Sequence, residues 1–234
     1  GTVVNGIALY ISGNVTLGST SGTTTINDST LDLGTTTQTQ ALVSLSNGIA
    51  TNGTFNNAAI LGNGGSNTTA TALIGTSSVT NAVGTNALTS SGNSYTGGNT
   101  ITGGTLQVVT TSSLGATTNN LSISGNGTLD LQTGTQTQGA VTVNGGNIIS
   151  GTLTNSGITF TGGSNNITAA LAGAGGLTNA SGSTTLTGTN TYSGGTVVSG
   201  GSLYVSGNGT LGSTSGTTTM NDSTLDLGTT TQTQ

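Results

Sequence analysis

Short runs in which apolar and polar residues alternate recur along the chain. Examples are Thr105-Leu106-Gln107-Val108, Leu121-Ser122-Ile123, Thr128-Leu129-Asp130-Leu131 and Val141-Thr142-Val143, with Gly and Asn between them. A period of two belongs to an extended strand with one covered face, so the pattern predicts Leu129 and Leu131 inward and Asp130 outward. Corners are supplied by Gly-Gly pairs beginning at 97, 103, 145, 162, 175, 194 and 200, and by Asn-Gly at 5, 47, 52, 63, 126, 144 and 208. Both residues tolerate the positive φ that tight corners need. Asn-Gly between alternating runs is also a hairpin signal, so an antiparallel meander is the competing arrangement. Many short strands with small-residue corners fit better a coil that stacks parallel strands on itself. Thr, Val and Ile favour strands, so the expectation is an all-β chain with almost no helix.

The pattern itself repeats. The block from Asn93 to Gln138 returns from Thr191 to Gln234, and its second half stands at Gly1 to Gln40. Three segments end alike at Gln40, Gln138 and Gln234, which sets a unit of about 97 residues. Apolar positions persist where polar ones drift: Val43 answers to Val141, Ile60 to Ile158 and Leu88 to Leu186. The chain therefore divides into a partial block 1–40 and full blocks 41–138 and 139–234, expected to form one continuous array. At roughly 20 residues per coil, each block makes about five coils. With strands about 4.8 Å apart, a block climbs about 24 Å and the chain about 55 Å, a short rod. The sequence enters in mid-block with neither an initiating Met nor a signal peptide, which predicts a piece of a longer protein.

Asn93 to Val108 reads NSYTGGNTITGGTLQV and Asn190 to Val205 reads NTYSGGTVVSGGSLYV, the latter preceded by LTNASGSTTLTGT from Leu177. These stretches resemble the autotransporter-associated β-strand repeat of bacterial surface-protein passengers. The resemblance implies a right-handed parallel β-helix carried across the bacterial envelope and displayed outside the cell. The sequence departs from such passengers in lacking Lys and Arg, and no membrane β-barrel is expected within these 234 residues. The motif marks structure, and no functional residue is carried over from it.

Composition narrows the function. The chain has no Lys, Arg, His or Cys, five acidic residues and a net charge of -5. Without cations it has no means to hold phosphates, which excludes nucleic acid as a partner. No run approaches the roughly 20 apolar residues of a membrane-spanning helix. The absence of Cys leaves the redox compartment open.

The ionisable candidates are Asp28, Asp32, Asp130, Asp222 and Asp226. Asp32, Asp130 and Asp226 share the Thr-Leu-Asp-Leu position, and Asp28 and Asp222 share another. Glycoside hydrolysis needs two carboxyl groups roughly 5 to 9.5 Å apart. Equivalent Asp residues one block apart should be about 24 Å apart at strand spacing. Asp28 and Asp32 are separated by about 13 Å of extended chain, and no basic group assists them. No catalytic residue, cofactor or metal set is therefore expected, and the Asp residues read as outward charges that keep a neutral chain soluble. Ca²⁺ needs six to eight oxygens, which leaves at most a single weak site near Asn27-Asp28 or Asn221-Asp222.

Thr23-Thr24-Thr25, Thr35-Thr36-Thr37 and the Thr-Gln runs at 135–138 and 231–234 raise an ice- or lattice-binding reading. Such a ladder must recur once per coil, whereas these clusters recur with the block, so they read as ordinary strand threonines. Tyr95 and Tyr192, at one motif position, are expected to cover a corner of a narrow Val, Ile and Leu core.

These readings converge on a non-enzymatic extracellular structural protein, a β-helical rod that forms or extends a bacterial surface fibre, stalk or adhesin. Its expected partners are like β-helices, by end-to-end or lateral assembly, and cell-surface or matrix polysaccharide. The alternative is a passenger acting as a binding module for glycans or another surface, with ice less favoured. An in-register Thr ladder would point to that alternative.

Overall fold

The computed structural model describes residues 1–109 and 114–233. Residues 110–113 of the second block, and Gln234 at the end of the last Thr-Gln run, lie outside the described residues. The chain forms two compact units, Gly1–Asn119 and Asn120–Gln234. Both are β-solenoids. No helix occurs among the described residues, none therefore long and apolar enough to cross a membrane, and the described strands pair in parallel. The meander is thereby excluded: Asn-Gly turns here change the direction of a coil rather than reverse a strand.

In the N-terminal unit one face stacks the strand Thr2–Asn5 on Thr23–Asn27, Leu42–Ser46, the start of Ala59–Thr69, the start of Ser78–Leu88 and Asn99–Ile101. Register runs Thr24 to Val43, Val43 to Ile60, Ile60 to Val79 and Val79 to Asn99. The C-terminal unit repeats the arrangement with Leu121 to Val141, Val141 to Ile158, Ile158 to Leu177 and Leu177 to Thr196. Coils thus take 17 to 20 residues over these steps, close to the expected 20. A second face carries Leu31, Ala50 and Thr69 inward in one unit and Leu129, Ile148, Ile167, Leu186 and Val205 in the other. A third, shorter face stacks Thr37–Thr39, Thr54–Asn56 and Ala72–Ile74.

Alternation fixes what is buried. Leu129 and Leu131 are fully buried, as are Leu31, Leu45, Leu153 and Leu171. Each such side chain contributes roughly 1.5 to 3 kcal/mol. The interior is not the purely aliphatic one that the alternation suggests, because Asn67, Asn81, Asn86, Asn155, Asn165, Asn179 and four glutamines are buried with it.

One corner demands glycine. Gly84 has φ +75° and Gly182 φ +79°, a region that disfavours any Cβ. A methyl group there would also lie 2.2 Å from Gly65 O in one unit and 2.5 Å from Gly163 O in the other. Successive corners are in backbone contact, so coil spacing is set at the corner as well as by the ladder.

Candidate functional site

The five aspartates are corner pieces. Asp32 Oδ1 accepts from the Gly34 N–H at 2.8 Å and from Asn52 Nδ2 at 2.9 Å, one coil further on. These hydrogen bonds, the Asn52 one foremost, hold its carboxyl below the ordinary carboxylate range. Asp226 Oδ1 accepts from Gly228 N at 2.8 Å, repeating the turn. Asp130 differs from the expectation of an outward charge: it is only 9 % exposed. Its carboxylate folds back onto its own corner, accepting from Gln132 N at 3.0 Å and Gln132 Nε2 at 2.5 Å. Asp28 and Asp222 adopt positive φ, +46° and +44°, and so turn a corner themselves. Asp28 Oδ1 accepts from Asn47 Nδ2 at 3.0 Å. Among the described residues no three acidic side chains gather at one point. An open cleft of about 430 Å³ beside Gly13–Thr16 and Thr35–Gln38 is lined by no ionisable side chain.

The repeated Asn-x-Tyr-x-Gly-Gly stretch is a lock between coils. Asn93 Oδ1 accepts from Leu73 N and Asn190 Oδ1 from Leu171 N, both at 2.9 Å, each reaching back to the preceding coil. Tyr95 and Tyr192 are buried. Tyr95 OH donates to Asn99 Oδ1, and Asn99 Nδ2 donates to Leu114 O at 3.1 Å. In the other unit, Tyr192 OH and Thr196 Oγ1 lie 2.6 Å apart, and Thr196 Oγ1 reaches Leu211 O at 3.4 Å. Burial pushes the Tyr192 phenol up to about 12 and raises that of Tyr95 as well. The following glycines fit against the previous coil: a methyl group on Gly97 would lie 2.5 Å from Ser77 O.

The interior carboxamides were not foreseen as a class. Asn67 Oδ1 accepts from Gly48 N at 3.0 Å and Asn165 Oδ1 from Gly145 N at 2.9 Å. Gln38 Oε1 accepts from Leu17 N and Gln232 Oε1 from Leu211 N, both at 2.9 Å. Each satisfies a backbone donor where a coil leaves its ladder. The Thr-Gln runs supply part of this row: Gln38, Gln136 and Gln138 face inward between outward threonines. Thr24, within the Thr23–Thr25 cluster, is likewise fully buried.

A hydroxyl row does recur on four successive coils of the C-terminal unit, from Ser122 to Thr178, built from residues outside those clusters. In the C-terminal unit Ser122, Thr142, Thr159, Thr178, Val197 and Thr219 stand in register on one face, none of them buried. The corresponding row of the other unit, Val3, Thr25, Ser44, Leu61, Thr80 and Thr100, is interrupted by Val3 and Leu61 and takes Thr25 from the Thr23–Thr25 cluster.

Comparison with known families agrees with this geometry. The family model described as passenger-associated-transport-repeat matches residues 83–108 and 181–205. Both matches contain the Asn-x-Tyr-x-Gly-Gly lock and the strand that follows it, and with the solenoid fold they bear out the likeness to the autotransporter-associated β-strand repeat. No curated protein and no solved structure matches the chain.

Proposed function

We propose that this chain is a non-enzymatic segment of an autotransporter-type passenger, displayed outside a bacterial cell, where it builds or extends a surface fibre, stalk or adhesin. The observation that carries this reading is the occupation of the polar groups with chemical potential. The carboxylates of Asp32, Asp130 and Asp226 close corners, the phenols of Tyr95 and Tyr192 brace loops, and inward Asn67, Asn165 and Gln38 hold backbone donors. Without Lys, Arg or His, no acid–base pair complements them.

Like coils are the partners that fit best. Val3 and Ile7 on the first level are 71 % and 73 % exposed, and Met220 near the last is 47 % exposed. These are surfaces another coil would cover, whether in the same chain or in a second copy. Electron microscopy of the purified chain tests this. Filaments with an axial spacing near 4.8 Å are the expected result, and isolated short particles under every condition would overturn assembly.

A second reading, a binding face for an extended polysaccharide, is favoured by the uncharged hydroxyl row from Ser122 to Thr178. Replacement of Thr142, Thr159 and Thr178 by Val keeps β-branching and removes the hydroxyls. Loss of glycan-array binding in that variant would support the second reading, and no binding by the parent chain would end it.

A further inference from the structure

We infer that the N-terminal unit encloses, beside Gly62 of its fourth coil, a binding site for one water molecule, held between Asn81 Oδ1 and Asn86 Nδ2 of the fifth. The two units share their register here: Gly62 stands between Leu45 and Asn81, as Phe160 stands between Val143 and Asn179. Where one unit has a phenyl ring, the other has a hydrogen. On the adjoining face Thr69 occupies the position of Ile167. Asn86 stands where the C-terminal unit has Thr184, a partial return of the missing volume.

The lining is polar and incomplete. Asn81 and Asn86 are both fully buried. Asn81 Oδ1 and Asn86 Nδ2 have no hydrogen-bond partner in the protein. Both close on Gly62 and reach one common point: a methyl group there would lie 2.7 Å from Asn81 Oδ1 and 3.3 Å from Asn86 Nδ2. Rotating the amides does not remove the mismatch. Asn81 Nδ2 donates to Gly103 O at 2.8 Å, which fixes its oxygen as the inward atom. Asn86 Oδ1 accepts from Thr69 Oγ1 at 3.3 Å, which leaves its nitrogen free. An unpaired buried acceptor and an unpaired buried donor are each costly. Water satisfies both at once, donating to Asn81 and accepting from Asn86, and two partners are enough to hold it.

A high-resolution crystal structure of the full chain tests the site directly. One ordered water within hydrogen-bond distance of both atoms is expected. An empty gap, or the two amides turned to bond each other, would overturn the inference. Magnetic relaxation dispersion of the water nuclei supplies a second readout, comparing the parent chain with Asn86→Thr. That variant installs the residue of the C-terminal unit and removes the donor. The variant should show one fewer long-lived water with an unchanged circular dichroism spectrum. Equal counts in the two folded proteins would overturn the inference. If the variant fails to fold, the crystal structure of the parent decides alone.

Discussion

At its fourth coil the N-terminal unit builds its interior from Gly62 and Thr69, with Asn86 on the next coil, and the C-terminal unit at the equivalent place uses Phe160 and Ile167, with Thr184 on the next. The steps on either side are nonetheless equal, 17 residues from Val43 to Ile60 and from Val141 to Ile158, then 19 to Val79 and to Leu177. Coil geometry therefore does not follow core volume. What the two levels share is the corner, with Gly84 and Gly182 at the same φ and the same close approach, and the inward Asn81 and Asn179 bound to Gly103 O and Gly200 O at 2.8 Å. In a protein whose core is filled by packing alone, a loss of this size would shift the backbone. Here backbone ladders and carboxamide ties hold the frame, and the filling can change between them.

The comparison can be broken most severely by placing a charge inside. Leu129→Asp buries an unpaired carboxylate at a fully covered position and is expected to cost roughly 4–5 kcal/mol or more. Its neighbour Asp130→Asn keeps an acceptor for Gln132 N and is expected to cost about 1 kcal/mol or less. Equal circular-dichroism melts for the pair would contradict the assignment of Leu129 to the core.

Next comes the filling itself. Phe160→Ala should cost about 3–5 kcal/mol, with hydrogen exchange accelerating in the C-terminal unit. Thr69→Val, in the already polar counterpart, should change stability by about 1 kcal/mol, since it exchanges one weak hydrogen bond for a methyl group. If the two substitutions prove alike, the cores do not differ in the way described.

A smaller effect sharpens what is common. Gly84→Ala and Gly182→Ala each force a Cβ into positive φ and against a carbonyl oxygen. Both should cost about 1–3 kcal/mol, and by similar amounts. A harmless substitution in either unit would remove the corner from its governing role.

The mildest effect separates the units by pH. The unfolded chain ionises Tyr near pH 10, while burial holds Tyr192 neutral up to about 12 and raises Tyr95 too. Above pH 10 the unfolded state therefore binds fewer protons than the folded one, and stability falls as pH rises toward 12. Below pH 10 this contribution is fully present. Melting temperature should be flat below that point and decline above it, and Tyr192→Phe should lessen the decline. An unchanged alkaline slope in that variant would show that the ring is not the group responsible.

Much of the fold was legible because alternation is a local property. Leu129 and Leu131 face inward as their two-residue spacing requires, and the Asn-Gly and Gly-Gly positions mark corners. The inward amides were not legible. Asn47 and Asn67 look alike in sequence, yet one turns an exposed corner at φ +49° and the other sits inside, and only register across coils distinguishes them. Asn57 and Asn155 make the point sharper, since they occupy equivalent places. Asn57 turns out at φ +57°, where Ser77 Oγ accepts from Ala58 N at 2.9 Å, whereas Asn155 stays in the long strand Thr152–Ile167, buried. The hydroxyl row was missed for a similar reason. Thr142, Thr159 and Thr178 are single residues in sequence, and stacking alone assembles them.

The interior carboxamides also bear on how the chain ages. An Asn-Gly peptide decays when the glycine nitrogen attacks the preceding carboxamide carbon, closing a succinimide ring and releasing ammonia. In the folded coils that nitrogen is already a donor: Gly48 N to Asn67 Oδ1 at 3.0 Å, Gly145 N to Asn165 Oδ1 at 2.9 Å, and Gly127 N to Ser124 O at 2.8 Å. Peptide mapping after prolonged incubation should therefore find Asn47, Asn126 and Asn144 deamidating far more slowly in the folded chain than in the unfolded one. A sequence rich in chemically short-lived linkages becomes long-lived because the folded coils keep hold of the atom that would begin the damage.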